Sequence, residues 1–307
     1  MSKSTDIAIK EVHAATERIE YRTPIKFGGR VVTDVVLFNV TVAVETRSGQ
    51  RGEGFGSMPM GNVWGWPSDV ASAEQTLAAM IALSHRLADD ADGFNDAGHP
   101  LEITHALSAN HEMAAREVVA EMQTPEAMPK LAQLVCASPL EAAIHDAYGK
   151  ALASNSYNLL GQEFANTDLA AYLTDEFSGE YLDQYTSRDP QPKMPLYHLV
   201  GALDPLFDVD VESRIDDGLP QTLGEWIAAD GLTHLKIKLN GDDLDWDVSR
   251  VARVEAASAL AQQGRGQSSW HYSLDFNERC ENEQYILDYL TKLREKSRAP
   301  LDRVQYI

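Results

Sequence analysis

The stretch LTHLKIKLNGDDLDWD, residues Leu232–Asp247, sets two lysines one residue apart inside an apolar run. Leu235, Ile237 and Leu239 alternate with Lys236 and Lys238, the period of a buried strand. Ammonium groups are costly to bury. Residues i and i+2 of a strand share a side, so one face of this strand carries both charges.

Working outward, the same rhythm recurs. MPLYHLVG is a strand, and a helix follows near TLGEWIAADG. After THLKIKLN comes the helix LDWDVSRVARVEAASALAQQ. WHYSLDFN is a third strand, trailed by the helix NEQYILDYLTKLREK, and DRVQYI is a fourth. Strand centres near 198, 236, 273 and 305 suit repeated β-α units and a parallel sheet. Four such repeats cannot close an eight-strand barrel, and Ile307 falls at a strand with no helix to cover it. The expectation is a fragment, or half of something, inactive by itself.

The first half reads differently. Residues 8 to about 56 form a meander of strands. VVLFNVTVAVET, Val35–Thr46, is rich in β-branched residues, and the turn-rich RSGQRGEGFG leads into another short strand. From Ser68 to about Ala153 the pattern is helical. One helix begins at a Ser68 cap. Another, SPLEAAIHDAYGKAL, begins at Ser138, with Pro139 in its first turn and Glu141 three residues after the cap. Strands followed by helices describe an α+β unit.

Composition bounds the function. The net charge of −21 argues against nucleic-acid binding, which needs basic surface. No segment approaches the ~18–20 apolar residues of a membrane span. The N-terminus lacks the apolar core of a signal peptide, so a cytoplasmic location is expected. Cys136 and Cys280, without CxxC spacing, read as reduced thiols.

The chemistry sits on two successive strands. Lys236 and Lys238 project together, as do Asp275 and Asn277 in SLDFNE. In one barrel they would face the interior near the C-terminal strand ends, where barrel enzymes place their sites. Adjacent ammonium groups disfavour double protonation, and a lysine tuned that way can serve as a general base. A neighbouring carboxylate can hold a divalent cation. Taken singly, a KxK pair is more often a solvated strand edge and a DxN a turn. His198 reads as a core or rim histidine, a weak site-lining candidate outside the catalytic set. Asp242, Asp243, Asp245 and Asp247 lack EF-hand spacing and read as a loop and helix N-terminus.

An α+β unit ending in SPLEAAIHDAYGKAL…NLLGQ, then β-α repeats bearing LKIKLN and LDFNE, resembles the enolase superfamily, in its mandelate racemase and muconate lactonizing branch. The resemblance implies an α+β capping domain over 1–190, with a helical insertion near 85–135, and the first half of a modified TIM barrel over 191–307. It implies a Mg²⁺-dependent enzyme that removes the proton α to a carboxylate and passes through an enediolate. Lys238 would be the base, Lys236 its partner against the substrate carboxylate, Asp275 the first metal ligand and Asn277 a polar neighbour. The loops Thr23–Arg30 and Gly56–Trp66 would close over a small carboxylate substrate. The remaining metal carboxylates would come from strands beyond Ile307. A homo-oligomer is the expected state. Racemisation, epimerisation or cycloisomerisation is favoured. Alternatives are sugar-acid dehydration, a non-catalytic half-barrel needing a partner chain, and an unrelated barrel enzyme using Schiff-base lysine chemistry.

Overall fold

A computed structural model describes residues 2–27 and 30–307; Met1, Gly28 and Gly29 lie outside the described residues, the two glycines falling within the expected loop Thr23–Arg30. The chain divides into two compact units, residues 1–20 with 34–190 and residues 21–33 with 191–307.

In the first unit, β1 (Ile7–Phe27), β2 (Arg30–Thr46) and β3 (Arg51–Pro59) make a three-stranded sheet in that order. β2 and β3 are antiparallel, from Leu37 opposite Pro59 to Glu45 opposite Arg51. Val36, Phe38, Val40, Val42 and Val44 alternate inward along β2, the period-two pattern of a half-buried strand. The helices α1 (Asn62–Gly65), α2 (Ala73–Asp92), α3 (Pro100–Ser108), α4 (His111–Glu121) and α5 (Lys130–Ala151) follow.

The glycines of RGEGFG are not turn residues. Gly52, Gly54 and Gly56 lie inside β3, where α5 presses backbone to backbone. A Cβ on Gly54 would stand 2.1 Å from Ala143 O, and one on Gly56 2.0 Å from Pro139 O. One on Gly52 would stand 2.3 Å from Ala147 O. Period two on the strand meets period four on the helix, and only glycine permits that approach.

Two helix starts differ from the sequence reading. α2 begins after Ser72, whose hydroxyl accepts from Gln75 N while Gln75 Oε1 accepts from Ser72 N. Ser68 instead accepts from the amides of Val70 and Ala71, closing a turn. α5 begins eight residues before Ser138, at Lys130, and carries Pro139 in its interior. An interior proline disfavours a helix by about 3 kcal/mol. Here burial of Val135, Cys136, Leu140, Ala143 and Ile144 on both sides of it outweighs that local preference.

In the second unit, β4 (Tyr197–Val200), β5 (His234–Lys238), β6 (His271–Asp275) and β7 (Val304–Tyr306) form a sheet in sequence order. Every adjacent pair is parallel. The connecting helices are α6 (Leu223–Asp230), α7 (Leu244–Gly264), α8 (Glu283–Lys296) and the short α9 (Arg298–Leu301). Leu235, Ile237, Leu239, Tyr272, Leu274 and Phe276 build a core with Ile227, Val251, Val254, Tyr289 and Leu293 of the helices. Gly231, at φ +68°, ends α6 in the left-handed turn that lets the chain re-enter the sheet. No helix among the described residues is long and apolar enough to cross a membrane.

Candidate active site

The apolar residues of β5 are taken by the helices, which leaves His234, Lys236 and Lys238 on the opposite face. The parallel register pairs Lys236 with Ser273 and Lys238 with Asp275. Paired residues on neighbouring strands project to the same side. All four sequence-chosen residues therefore meet at the C-terminal ends of β5 and β6.

Lys238 Nζ donates to Asp275 Oδ2 at 2.7 Å and to Asn277 Oδ1 at 2.8 Å. Lys236 Nζ lies 2.8 Å from the same Asp275 Oδ2. One carboxylate oxygen thus faces two ammonium groups. The Lys238 side chain is 12% exposed and that of Lys236 42%, so the inner lysine is sheltered and the outer one reaches solvent. Burial pushes the Asp275 carboxyl upward, but the two lysines and the Asn277 amide outweigh it and hold the group at about 2.

Asn277 ties the two strand ends together. Its amide donates to Asp275 Oδ1 at 2.9 Å, and its Nδ2 donates to Leu239 O at 2.8 Å. It does so at φ +55°, and Glu278 follows at +54°. Consecutive non-glycine residues in the left-handed region are strained, a feature concentrated at functional sites. Where the loop after β6 meets the loop after β5, Gly241 is required: it sits at φ +78°, and a Cβ there would lie 2.6 Å from Phe276 O.

Three supporting residues escaped the sequence reading. Asp247, read as a helix N-terminal acid, is fully buried. It accepts from Asn240 N at 2.7 Å, Gly241 N at 3.0 Å and Tyr285 Oη at 2.6 Å, fixing the loop after β5. Burial raises its pKa above the ordinary carboxylate range, against the pull of those hydrogen bonds. On α7, buried Arg250 donates to the carbonyls of Gly201 and Asp204, while Asp204 Oδ2 accepts from Gly201 N at 2.7 Å. Desolvation lowers the Arg250 pKa to about 10. An acid in the first turn and an arginine mid-helix look like surface residues in a sequence; only the packed loops reveal their partners.

His198 pairs in register with buried Leu235, and its ring lies 5.6 Å from that of Trp226 on α6. It belongs to the helix-covered face and does not line the lysine face. The described part of Thr23–Arg30 borders a cavity of about 210 Å³ with Leu199, Gly201, Leu203 and Asp204. Lys26 in that segment donates to Asn240 Oδ1 at 3.1 Å, and Arg22 pairs with Asp217 at 2.6 Å. The loop Gly56–Trp66 lies in the first unit, where Met60 and Trp66 are buried in the core and Trp64 is half-exposed.

The acids among the described residues do not gather into a magnesium centre. Among the described residues no three His, Cys, Asp or Glu side chains converge as metal ligands, and Asp275 is taken by two ammonium groups. Magnesium demands near-octahedral oxygen coordination that one carboxylate cannot supply.

No family model and no curated protein matches this sequence. Solved structures do match it. An enolase from Bradyrhizobium complexed with magnesium and mandelic acid aligns over 95% of this chain with a TM-score of 0.53 and 17% identity. An enolase from Streptomyces coelicolor, without magnesium and with an ordered loop, aligns over 94% with a TM-score of 0.50 and 17% identity. The chain spans 60% and 57% of the length of these two structures. With an antiparallel sheet and helices leading into consecutive parallel β-α units, the chain has the fold of these two enolases: an α+β unit followed by a partial TIM-type barrel.

Proposed function

We propose that the β5–β6 end is the proton-transfer side of an active site that removes the hydrogen α to the carboxylate of a small substrate, with Lys238 as base. The observation behind this reading is the convergence of Lys236 and Lys238 on one carboxylate at the C-terminal ends of adjacent parallel strands.

Lys238 is the better placed base, because it is sheltered and aimed by Asn277. A base must give up its own proton before it can accept another. Lys236, nearer solvent, would hold the substrate carboxylate as a cation. Lys238 Nζ would then take the α-hydrogen. The C–H bond breaks, an N–H bond forms, and the electron pair moves into the Cα–carboxyl bond as an enediolate. Return of a proton to the opposite face gives racemisation or epimerisation. Expulsion of a lactone oxygen from Cβ by the enediolate electron pair opens the ring to an alkene and a free carboxylate, and the reverse addition followed by protonation at Cα closes it; that is cycloisomerisation. Expulsion of a β-hydroxyl would instead make the enzyme a sugar-acid dehydratase.

No step is routed through magnesium, because Asp275 is held by both lysines and the described residues assemble no ligand set for the ion.

Solvent deuterium incorporation at Cα of mandelate, followed by proton NMR with magnesium present, tests the reading. Exchange in the wild-type protein and its loss in Lys238→Ala is the expected result. Equal exchange in both proteins would remove Lys238 as the base.

A further inference from the structure

The opposite end of the lysine face carries two histidines that the proton-transfer chemistry does not use. His234 and His271 are register partners at the start of β5 and β6, four residues before Lys238 and Asp275. That spacing sets them about 13 Å from the proton-transfer end. Register partners project to the same side, and the bond from His271 N to Thr233 O, at 2.8 Å, locks the two strands together at this point.

The rings are spaced for a shared ligand. Their centroids lie 4.9 Å apart, and the planes are tilted by 42° rather than stacked flat. An imidazole nitrogen binds zinc at about 2.0–2.1 Å, which places its ring centroid roughly 3.2 Å from the ion. Two rings at the observed separation then subtend an angle of about 100° at one ion, near the tetrahedral value.

The hydrogen bonding favours the same role. His234 Nδ1 lies 3.0 Å from Thr233 Oγ1. With Nδ1–H donating to the threonine, Nε2 keeps a free lone pair, the outer contact that orients a metal-binding imidazole. Among the described residues no carboxylate pairs with either ring, in contrast to exposed His13, which lies 2.8 Å from Glu11. Burial, and then the neighbouring His271 ring, lowers the His234 pKa and favours the neutral form that can bind a metal.

Ser273 is an independent pointer. It follows His271 by two residues on the same face of β6 and pairs in register with Lys236. The residue is only 1% exposed, and its Oγ has no hydrogen-bond partner among the described residues. Buried hydroxyls are normally bonded, and a water held on an ion between the rings would supply the donor.

We propose that His234 and His271 form a two-histidine site for a transition-metal dication of the zinc type, with Ser273 Oγ accepting from a water on the ion. Imidazole suits zinc, copper and nickel, whereas magnesium takes oxygen ligands. Two protein ligands leave the other positions to water, so the ion is exchangeable. No third His, Cys, Asp or Glu among the described residues joins them.

Calorimetric titration of the whole chain with zinc chloride, in an excess of magnesium chloride, tests this. Saturable zinc binding is expected, weakened at least about tenfold in His234→Gln and in His271→Gln. In the wild-type protein zinc should move the ring nitrogen resonances of His234 and His271 together in NMR, a readout that needs no variant to fold. A smaller loss in either variant, displacement of zinc by magnesium, or movement of the His13 ring in place of this pair would overturn the proposal.

Discussion

Asn277 grips Lys238 from a strained backbone: its Oδ1 accepts from the lysine at 2.8 Å while its own φ is +55°. The same side chain reaches Leu239 O on the neighbouring strand end. One amide thus aims the sheltered lysine and staples two loops.

Replacing Asn277 with alanine removes both side-chain hydrogen bonds and leaves a residue poorly suited to the left-handed region. The expected loss is about 1–3 kcal/mol, read from urea denaturation. Asn277→Gly relieves the backbone strain without restoring the bonds, so it should fall between wild type and alanine. An alanine variant as stable as wild type would show that the staple contributes nothing.

Asp275 gives the pH dependence a definite sign. Its folded pKa of about 2 lies below the ordinary value of 3.8, so its contribution is fully present above about pH 4. It is lost as the pH falls from there through about 2. The stability gap between wild type and Asp275→Asn should therefore shrink steadily over that interval and stay flat between pH 5 and 7. A gap that widens on acidification would contradict the pairing with the lysines.

Gly54→Ala should be far more damaging than Gly49→Ala. The first inserts a methyl 2.1 Å from Ala143 O and 2.2 Å from Ala147 N, both backbone atoms of α5. The second meets nothing within 4 Å and carries only the strain of φ +86°. We expect about 1 kcal/mol at Gly49 and more than about 3 kcal/mol at Gly54, measured by thermal or urea unfolding. Similar losses at both sites would refute the close approach.

The two thiols should separate by reactivity. Burial pushes Cys136 up to about 12, whereas Cys280 is only partly covered. A disulfide reagent should label Cys280 in the native protein and Cys136 only after denaturant is added. Native labelling of both at one rate would place Cys136 outside the core.

Much of the second unit could be read directly because its signals are local. Alternation around Lys236 and Lys238, and the spacing to Asp275, needed no knowledge of distant residues. The four strand centres fall within β4 to β7 for the same reason. What escaped depends on contacts across long sequence separations. Asp247 looks like a dipole-favoured acid until Tyr285 closes over it, and Pro139 looks like a helix start until the buried residues on both sides are counted. His198 had a visible strand but no visible side, because the direction of a four-residue strand is set by its register with β5. Likewise, alternate glycines in RGEGFG signal a turn unless the alanine spacing of α5 is read beside them.

The alternation along β5 also guards against misassembly. If β5 slid by one residue against β6, every side chain would change sides. Lys236 and Lys238 would be driven under α6, α7 and α8, and Leu235, Ile237 and Leu239 would turn outward. Removing one unpaired ammonium from water already exceeds the margin that keeps most domains folded. The two charges that equip the face for chemistry therefore act earlier in the life of the molecule, as proofreading marks that reject the shifted sheet.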